Sequence, residues 1–391
     1  MTRARLELVA TWALYACAAT IQVSIAATEI CFGVAAVAWL TLLMTSQARF
    51  DAPAFFRPLA LYAVLTLVAT AFSIDPWASL FDSRQLLLFL MVPIVFTIAR
   101  RDVARRIVLI LITVGAASAV LGIVQYGILH YDNLGQRPQG VMGHYMTYSG
   151  LVMLVTTTVV ARILFERRDR IWPALILPAL LVALVLTFTR SAWVGACVGM
   201  AWLLLLKDFR LVGALPVIVA LFFALAPPQV THRFYSMFDL HDPTNRDRIA
   251  MLKEGGRMIA EDPLTGMGPN MVERIYVRFR DTEAVERINP HLHNVPMQIA
   301  AERGLPALGA WLWFVGAAVV GLLSLFRTSP HRFLAAAGLG GVAAMLAAGL
   351  FEHNFGDSEF LMLFLMLITL PFAASEPDGV DASADRGGQA T

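Results

Sequence analysis

Residues 171–206 decide the fold class, and they read IWPALILPALLVALVLTFTRSAWVGACVGMAWLLLL. The stretch contains a single charged residue, Arg190. A transmembrane helix needs about 20 mostly apolar residues, within a range of about 17–25. The stretch therefore predicts two membrane-spanning helices, 171–188 and 191–206, with almost no loop between them.

Comparable apolar runs occur on both sides of this pair. The sequence predicts twelve spans, at residues 8–26, 30–46, 58–74, 85–99, 107–129, 145–165, 171–188, 191–206, 210–227, 306–326, 333–351 and 358–374. The predicted fold class is an all-α polytopic membrane protein with about twelve transmembrane helices. A large, partly helical loop is expected between spans nine and ten.

The composition excludes several classes of protein. Hydrophobic residues make up 58% of the 391 residues and charged residues 15%, whereas a typical soluble domain is about 45–50% apolar and about 25% charged. These values exclude a soluble enzyme and a disordered protein. The net charge of +2 provides no field that attracts polyanions, so the expected partner is the lipid bilayer and not nucleic acid.

The distribution of basic residues predicts the orientation, because cytoplasmic loops carry an excess of Lys and Arg. With a cytoplasmic N-terminus and twelve alternating spans, the short cytoplasmic segments hold 16 basic residues and the short outside loops hold 3. Both termini are therefore expected in the cytoplasm. The expected regions are spans one to nine (1–227), a periplasmic loop with short helices (228–305), spans ten to twelve (306–374) and a disordered cytoplasmic tail (375–391).

The outside part of that loop, residues 228–290, carries 19 charged residues in 63. The spacing of apolar residues predicts a short amphipathic helix from Ile249 to Ile259 and a second helix from Met271 to Phe279. Residues 265–270, TGMGPN, predict a turn between them. Asn294 is expected to cap a third helix, 295–303, which ends before span ten.

Arginines are the first candidate site residues. An arginine at membrane depth usually faces the protein interior or a polar cavity, which suggests a specific task for Arg190. The alternative is a side chain that extends to the outer headgroups. In the loop, Arg246 and Arg248 flank Asp247 before the first amphipathic helix, and the alternative there is a solvated helix start with local ion pairs.

The second candidate is the histidine pair His291 and His293. Alternation along an extended segment would place both side chains on one side. Three interpretations remain open: a metal pair, a structural histidine near a helix start, or a general base, for which the ordinary histidine pKa of about 6.5 is well suited. The neighbouring sequence contains no carboxylate or cysteine at ligand spacing, which disfavours the metal.

A polar outside loop, residues 130–144, adds Arg137 and His144 as candidates, and Tyr148 follows it. The alternative is an ordinary polar loop. The sequence has no P-loop, no Asp-x-Asp, no GxGxxG after a strand and no His-Glu-x-x-His. It therefore supports neither nucleotide hydrolysis nor zinc proteolysis, and no cofactor or metal is expected.

Three stretches are more specific. TRS at 189–191 lies at the outer end of a span, Arg248 precedes a short helix and then DPLTGMG at 262–268, and HNVPMQIAAERG occupies 293–304. These stretches resemble motifs of the O-antigen ligase and O-antigen polymerase superfamily of bacterial inner membranes, in which the two loop runs read "hPlxGxG" and "HNxxLqxxxExG". RPQGVMGHYMTYSG at 137–150, the twelve spans and the large loop also fit this family.

The resemblance implies a multi-pass glycosyltransferase that acts on the periplasmic side of the inner membrane. Its donor would be a glycan on undecaprenyl diphosphate, and its acceptor a sugar hydroxyl of lipid A–core. By the same resemblance, His293 would be the catalytic base, and Arg190 and Arg248 would approach each other to bind the diphosphate. The other substrate-binding candidates are Arg137, His144, Tyr148, Arg246, His291, Asn294 and Glu302.

Alternatives with the same membrane architecture remain. A repeat-unit polymerase and a protein O-oligosaccharyltransferase share the donor chemistry and differ in the acceptor, which no short motif identifies. A small-solute transporter or channel is a further alternative. The ligase reaction is the principal hypothesis from the sequence.

Overall fold

The structure is a computed structural model that describes residues 2–214, 216, 220, 224 and 226–375. Within these residues it is helical and contains no strand. The helices are α1 (Arg3–Thr20), α2 (Ile25–Met44), α3 (Phe56–Ala71), α4 (Pro76–Ser83), α5 (Met91–Ile98), α6 (Arg101–Gly127), α7 (Tyr145–Phe165), α8 (Ile171–Leu186), α9 (Arg190–Lys207), α10 (Pro228–Tyr235), α11 (Pro243–Glu261), α12 (Val272–Phe279), α13 (Val295–Thr328), α14 (Arg332–Gly349) and α15 (Ser358–Ser375). Three 3₁₀ segments occupy Arg84–Leu90, Phe209–Ala214 and Asn354–Gly356.

The predicted fold class is confirmed. Among the described residues, eight helical segments are long and apolar enough to cross a membrane, one of them formed by α4, the following 3₁₀ segment and α5 together. Helices α3 and α8 are shorter apolar helices. Eight of the 18 residues of the predicted span 210–227 lie outside the described residues, as does the tail from residue 376. The first two spans begin and end earlier than predicted, because the Ser24 side chain accepts the N–H of Ala27 and so starts α2 at Ile25.

Close helix packing brings α9 and α14 together. A Cβ atom added at Gly195 would lie 2.7 Å from the Ala344 carbonyl oxygen, and one at Gly199 would lie 2.9 Å from the Gly340 carbonyl oxygen. Only glycine allows the two backbones to approach this closely, as small residues do in other membrane helix pairs. This packing fixes Arg190, the first residue of α9, relative to the loop that follows α14.

Several connecting segments meet at one end of the bundle, which we call the loop face. The Ile74 N–H donates to the Met267 carbonyl at 3.3 Å, and the Ser79 hydroxyl donates to the Pro269 carbonyl at 2.7 Å. The residues of segments 128–144, 236–294 and 350–357 line common cavities at the same end. The other end, the opposite face, carries contacts such as that of Arg105 with Glu166, 3.4 Å apart.

The loop helices largely follow the prediction, with one correction. Helix α11 begins at Pro243, six residues before the predicted Ile249, because the Asp242 carboxylate accepts the N–H groups of Thr244 and Asn245 at 3.0 and 3.3 Å. Pro243 in the first turn suits a helix start. Helix α12 agrees with its predicted bounds within one residue.

The predicted break before span ten is confirmed at Gly304, where the backbone φ is +79°. A Cβ atom at this position would lie 2.1 Å from the Leu264 carbonyl oxygen. The predicted turn 265–270 packs against the helix at this break, because Met267 and Gly268 donate their N–H groups to Ala301 and Glu302 at 2.9 Å. The turn therefore fixes the first part of α13 and, with it, the histidine segment that precedes that helix.

Candidate active site

Basic side chains converge in a cavity of about 420 Å³ at the loop face, which we call the basic cavity. Its charged and titratable lining residues are Arg137, Tyr145, Arg190, Arg233, Asp247, Arg248, Glu286, His293 and Glu352. Of the two arginines singled out by the motifs, one comes from the start of α9 and the other from α11. The structure thus places Arg190 and Arg248 on the wall of one cavity, as expected from the sequence.

Arg190 is held in place by the loop. Its side chain is 6% exposed, and its Nη1 donates to the Ser236 carbonyl at 3.0 Å. Its Nη2 lies 3.4 Å from Asp242 Oδ1, the carboxylate that also caps α11. These contacts connect the junction between α8 and α9 to the start of α11. The side chain of Arg190 therefore faces the protein interior and not the lipid headgroups.

Arg248 differs from Arg190, because its side chain makes no hydrogen bond or ion pair with any residue that the structure describes. Burial lowers the pKa of Arg248, an effect that Glu352 opposes and Arg190 reinforces. Arginine nevertheless remains protonated at neutral pH. A partly buried guanidinium without a bound carboxylate is therefore available for an anionic ligand.

Two further arginines complete the positive charge of the cavity. Arg137 donates its Nε–H to the Leu134 carbonyl at 3.0 Å and lies over the Tyr145 ring at 4.3 Å. Burial, reinforced by Arg190 and Arg137, lowers the pKa of Arg233 to about 10. Arg233 was not predicted from the sequence, although a basic residue on the predicted outer side, close to the membrane boundary, was an available signal.

His291 and His293 lie together, with ring centroids 4.4 Å apart. Glu352 contacts both rings, since its Oε1 is 3.0 Å from His293 Nδ1 and 3.4 Å from His291 Nε2. Burial raises the pKa of Glu352, but His293 and His291 outweigh this effect and hold that pKa well below its usual range. Glu352 is thus an ionised carboxylate that orients the two imidazoles.

The triad of His291, His293 and Glu352 has two chemical possibilities. A carboxylate bound to one ring nitrogen fixes the tautomer and leaves the other nitrogen for proton transfer, as in catalytic histidine–carboxylate pairs. The three ligand atoms also lie within 4.8 Å of one another, so the same side chains can hold a divalent cation. Spacing along the sequence could not reveal this carboxylate, because Glu352 is 59 positions from His293.

Three of the predicted site residues lie elsewhere. Arg246 pairs with Glu283, 3.3 Å away, on the exposed side of α11. The Tyr148 hydroxyl donates to the Ser118 carbonyl at 3.0 Å within the bundle. Glu302 is buried and accepts a hydrogen bond from Arg303 at 2.8 Å. None of these three residues lines the basic cavity, and their described contacts are structural.

The remaining predicted residues border the basic cavity. Asn294 caps α13, since its Oδ1 accepts the Met297 N–H at 2.9 Å and its Nδ2 donates to the Leu350 carbonyl at 3.1 Å. It lines an apolar groove of about 360 Å³ that also includes Arg190, Arg248 and His293. The apolar lining residues of this groove include Val194, Met237, Phe238, Leu240, Ile249, Leu252, Leu292 and Phe351. His144 lines a further cavity, and His293 lines that cavity as well.

Comparison with known protein families shows that most residues of this site lie within one matched region. No curated protein matched the chain. One family model matched a range that runs from α8 into α13 and includes Arg190, Arg233, Arg248 and His293, whereas Glu352 lies beyond it. Residues 173–312 match the protein-family model described as O-antigen ligase, and this match confirms the resemblance to the O-antigen ligase and polymerase superfamily.

Proposed function

We propose that this multi-pass bacterial membrane protein is an O-antigen ligase. It transfers a glycan from undecaprenyl diphosphate to a sugar hydroxyl of lipid A–core. The observation that carries the proposal is the basic cavity, in which Arg190 and Arg248 share a wall with His293. The family match supports a glycosyltransferase of the O-antigen ligase and polymerase type, and the finer assignment is our proposal.

The diphosphate of the donor binds in the basic cavity. Four arginines line it, and the guanidinium of Arg248 has no other partner among the described residues. Arginine binds phosphate oxygens through charge-assisted, often bidentate hydrogen bonds. Polyprenyl diphosphate is already a good leaving group, so the reaction needs no nucleotide. The arginines take the place of a metal ion, because they stabilise the negative charge that develops on the departing diphosphate.

The polyprenyl chain leaves the basic cavity through the apolar groove. The groove shares Arg190 and Arg248 with that cavity, and it continues past Met237, Phe238 and Leu252. Phe238 is 72% exposed and Leu240 is 68% exposed. Apolar side chains exposed next to a phosphate-binding site suit a lipid-linked diphosphate better than a soluble nucleotide sugar.

His293 acts as the general base. The acceptor hydroxyl oxygen attacks the anomeric carbon of the donor glycan, while the bond between that carbon and the diphosphate oxygen breaks. The hydroxyl proton passes to His293, and Glu352 stabilises the imidazolium that forms. Undecaprenyl diphosphate leaves with the bonding electrons, and the configuration at the anomeric carbon inverts.

The reaction takes place on the periplasmic side of the inner membrane, with both termini in the cytoplasm. The excess of basic residues on the short segments assigned to the cytoplasm supports this orientation. Alkaline phosphatase fused at Asp281 should be active, and the same enzyme fused at Arg168 should be inactive. Activity at Arg168 would contradict the orientation.

Reconstitution tests the reaction itself. Vesicles that contain the protein, undecaprenyl-diphosphate-linked glycan and lipid A–core should form lipid A–core that carries the glycan, also in the presence of a chelator. Parallel samples replace lipid A–core with a second lipid-linked glycan or with an acceptor peptide. Glycan elongation without lipid A–core product would identify a polymerase, and glycopeptide would identify a protein O-oligosaccharyltransferase. Loss of activity with a chelator would contradict the metal-free mechanism and indicate a cation at the His291, His293 and Glu352 triad.

A further inference from the structure

A second cavity, which we call the inner cavity, lies beside the basic cavity. Its volume is about 400 Å³, and it is bounded by α7, α9, the end of α14 and the start of α15. His293 and Glu352 line both cavities. The inner cavity therefore offers a second way to reach the imidazole of His293.

The two cavities differ in charge. Four arginines line the basic cavity, whereas neither arginine nor lysine lines the inner cavity in the part of the chain that the structure describes. The titratable lining residues of the inner cavity are His144, His291, His293, Glu352, His353 and Asp357. Two carboxylates without a lining guanidinium disfavour a phosphate group, because like charges repel each other.

Two residues that line the inner cavity carry buried polar atoms without a partner among the described residues. Asn354 is 7% exposed, and among the described residues its Oδ1 has no hydrogen-bond partner. The same is true of the buried Nδ1 of His353. Asp357 accepts the hydroxyl hydrogen of Thr147, whose oxygen lies 3.1 Å from His144 Nδ1. Because a buried polar atom without a partner is costly, these groups indicate a polar, hydrogen-bonding occupant.

We propose that the inner cavity binds the terminal sugar of the acceptor, that this sugar is uncharged, and that Asp357 binds one of its hydroxyl groups. The assignment rests on the proposed function. In an inverting displacement the hydroxyl enters opposite the leaving diphosphate, so the acceptor needs a place that contacts His293 but lacks the arginines. An uncharged sugar carries several hydroxyl donors, which match carboxylate and amide oxygens. The cavity volume lies within the range of about 300–1,000 Å³ typical of small-ligand sites.

The substitution Asp357→Asn tests this assignment. Asparagine keeps an oxygen for the Phe360 N–H, which Asp357 accepts at 2.9 Å, but removes the charge. The KM for an acceptor oligosaccharide that ends in an uncharged hexose should rise about 10- to 100-fold, while the Kd for the donor changes by less than about twofold. Asp239→Asn is the matched control, because Asp239 is an exposed carboxylate at the same face, and both constants should stay unchanged. A weaker donor Kd with an unchanged acceptor KM would overturn the assignment and place a donor sugar in the inner cavity.

Two further measurements support the test. The first uses the unsubstituted protein and so does not depend on the folding of a variant, and the second measures binding without transfer. The unsubstituted protein should use an acceptor that ends in hexose at least about tenfold better than one that ends in hexose 6-phosphate; equal use would overturn the assignment. The same two oligosaccharides are also titrated into the protein in nanodiscs without donor. Preferential binding of the uncharged oligosaccharide, weakened by Asp357→Asn, would support the inner cavity even if no transfer occurred and the proposed function failed. Binding that is equal for both, or unaffected by the substitution, would contradict it.

Discussion

The arginines at the two ends of the bundle are arranged in opposite ways. At the opposite face, Arg105 pairs with Glu166 and keeps 33% of its side chain exposed, and Arg168 is exposed. At the loop face, Arg190 is 6% exposed and shares the basic cavity with Arg248. Numerous exposed arginines suit a role in orienting the protein in the membrane. Arg190 is buried beside Asp242, whereas the partly buried Arg248 has no carboxylate partner among the described residues, so an anion in their shared cavity would compensate its charge. Burial combined with convergence, and not number, therefore indicates the binding site.

Arg162 sharpens this comparison, because it is buried at the opposite face without converging on other arginines in a cavity. Its residue exposure is 6%, and its guanidinium lies 5.7 Å from the centre of the Phe333 ring. This contact belongs to the packing of α7 against α14. Burial alone therefore does not distinguish a ligand-binding arginine from a structural one.

The largest effect is expected from His293→Ala. Loss of a general base typically lowers the rate about 10²- to 10⁴-fold, and we expect transfer to fall within this range. Donor binding and the amount of protein in the membrane should change little, because the arginines remain. Single-turnover transfer and donor titration on purified protein measure the two properties separately.

His241→Ala is the control for this substitution. His241 lies in the same loop with a side chain that is 97% exposed, and it lines none of the three loop-face cavities. It should transfer glycan at the unsubstituted rate. If His293→Ala also kept that rate, His291 would become the better candidate for the base and the mechanism would be wrong.

The next largest effect is expected from Arg190→Ala. A hydrogen bond to a charged group contributes about 1.5–3 kcal/mol, so the donor Kd should rise about 10- to 100-fold. Arg190→Lys should recover part of this loss, because a single ammonium group cannot reproduce the planar guanidinium. Arg168→Ala, which removes an exposed arginine from the opposite face, should leave the Kd unchanged. An equal rise in the donor Kd for both alanine substitutions would contradict the assignment of donor binding to the loop face.

A smaller effect is expected for Glu352→Gln, and it should depend on pH. The folded state lowers the pKa of Glu352 below the ordinary value of 4.5, so its carboxylate stabilises the fold above that pH. This contribution is lost as the pH falls below 4.5 towards the folded-state pKa. At pH 7 the Tm of the variant should be about 1–2 °C lower, because a loss of about 1 kcal/mol is divided by the large unfolding entropy of a chain of 391 residues.

Thermal unfolding in detergent at several pH values tests this expectation. The difference in Tm between the two proteins should shrink as the pH falls below 4.5. A difference that grew with acidification would show that the carboxylate does not stabilise the triad in the way that its contacts with His293 and His291 imply.

Local features of the sequence were sufficient to predict much of the region around the site. Asn294 caps α13 and Gly304 breaks it, as expected, because capping and a left-handed backbone depend on the residue and its near neighbours. The resemblance carried by the separate stretches around Arg190 and Arg248 also indicated that the two residues would come together, and both line the basic cavity. The early start of α11 at Pro243 was missed, although Asp242 followed by proline is a local capping signal.

Other features depend on contacts between segments that are distant in sequence. Glu352 and Asp357 lie in the short connection between α14 and α15, more than 50 positions from His293, and no spacing rule relates them to it. Arg246 shows the reverse error, because it lies two positions from Arg248 but on the other side of α11, where it pairs with Glu283. Proximity in sequence could not show which of the two arginines faces the cavity.

This pair provides the most direct test of the central claim that the basic cavity binds the donor diphosphate. Arg248→Ala and Arg246→Ala remove the same side chain from positions two residues apart on one helix, and only Arg248 lines the cavity. The Kd for undecaprenyl-diphosphate-linked glycan, measured in nanodiscs, should rise about 10- to 100-fold for Arg248→Ala and remain unchanged for Arg246→Ala. An unchanged Kd for Arg248→Ala, or an equal loss in both variants, would contradict the account.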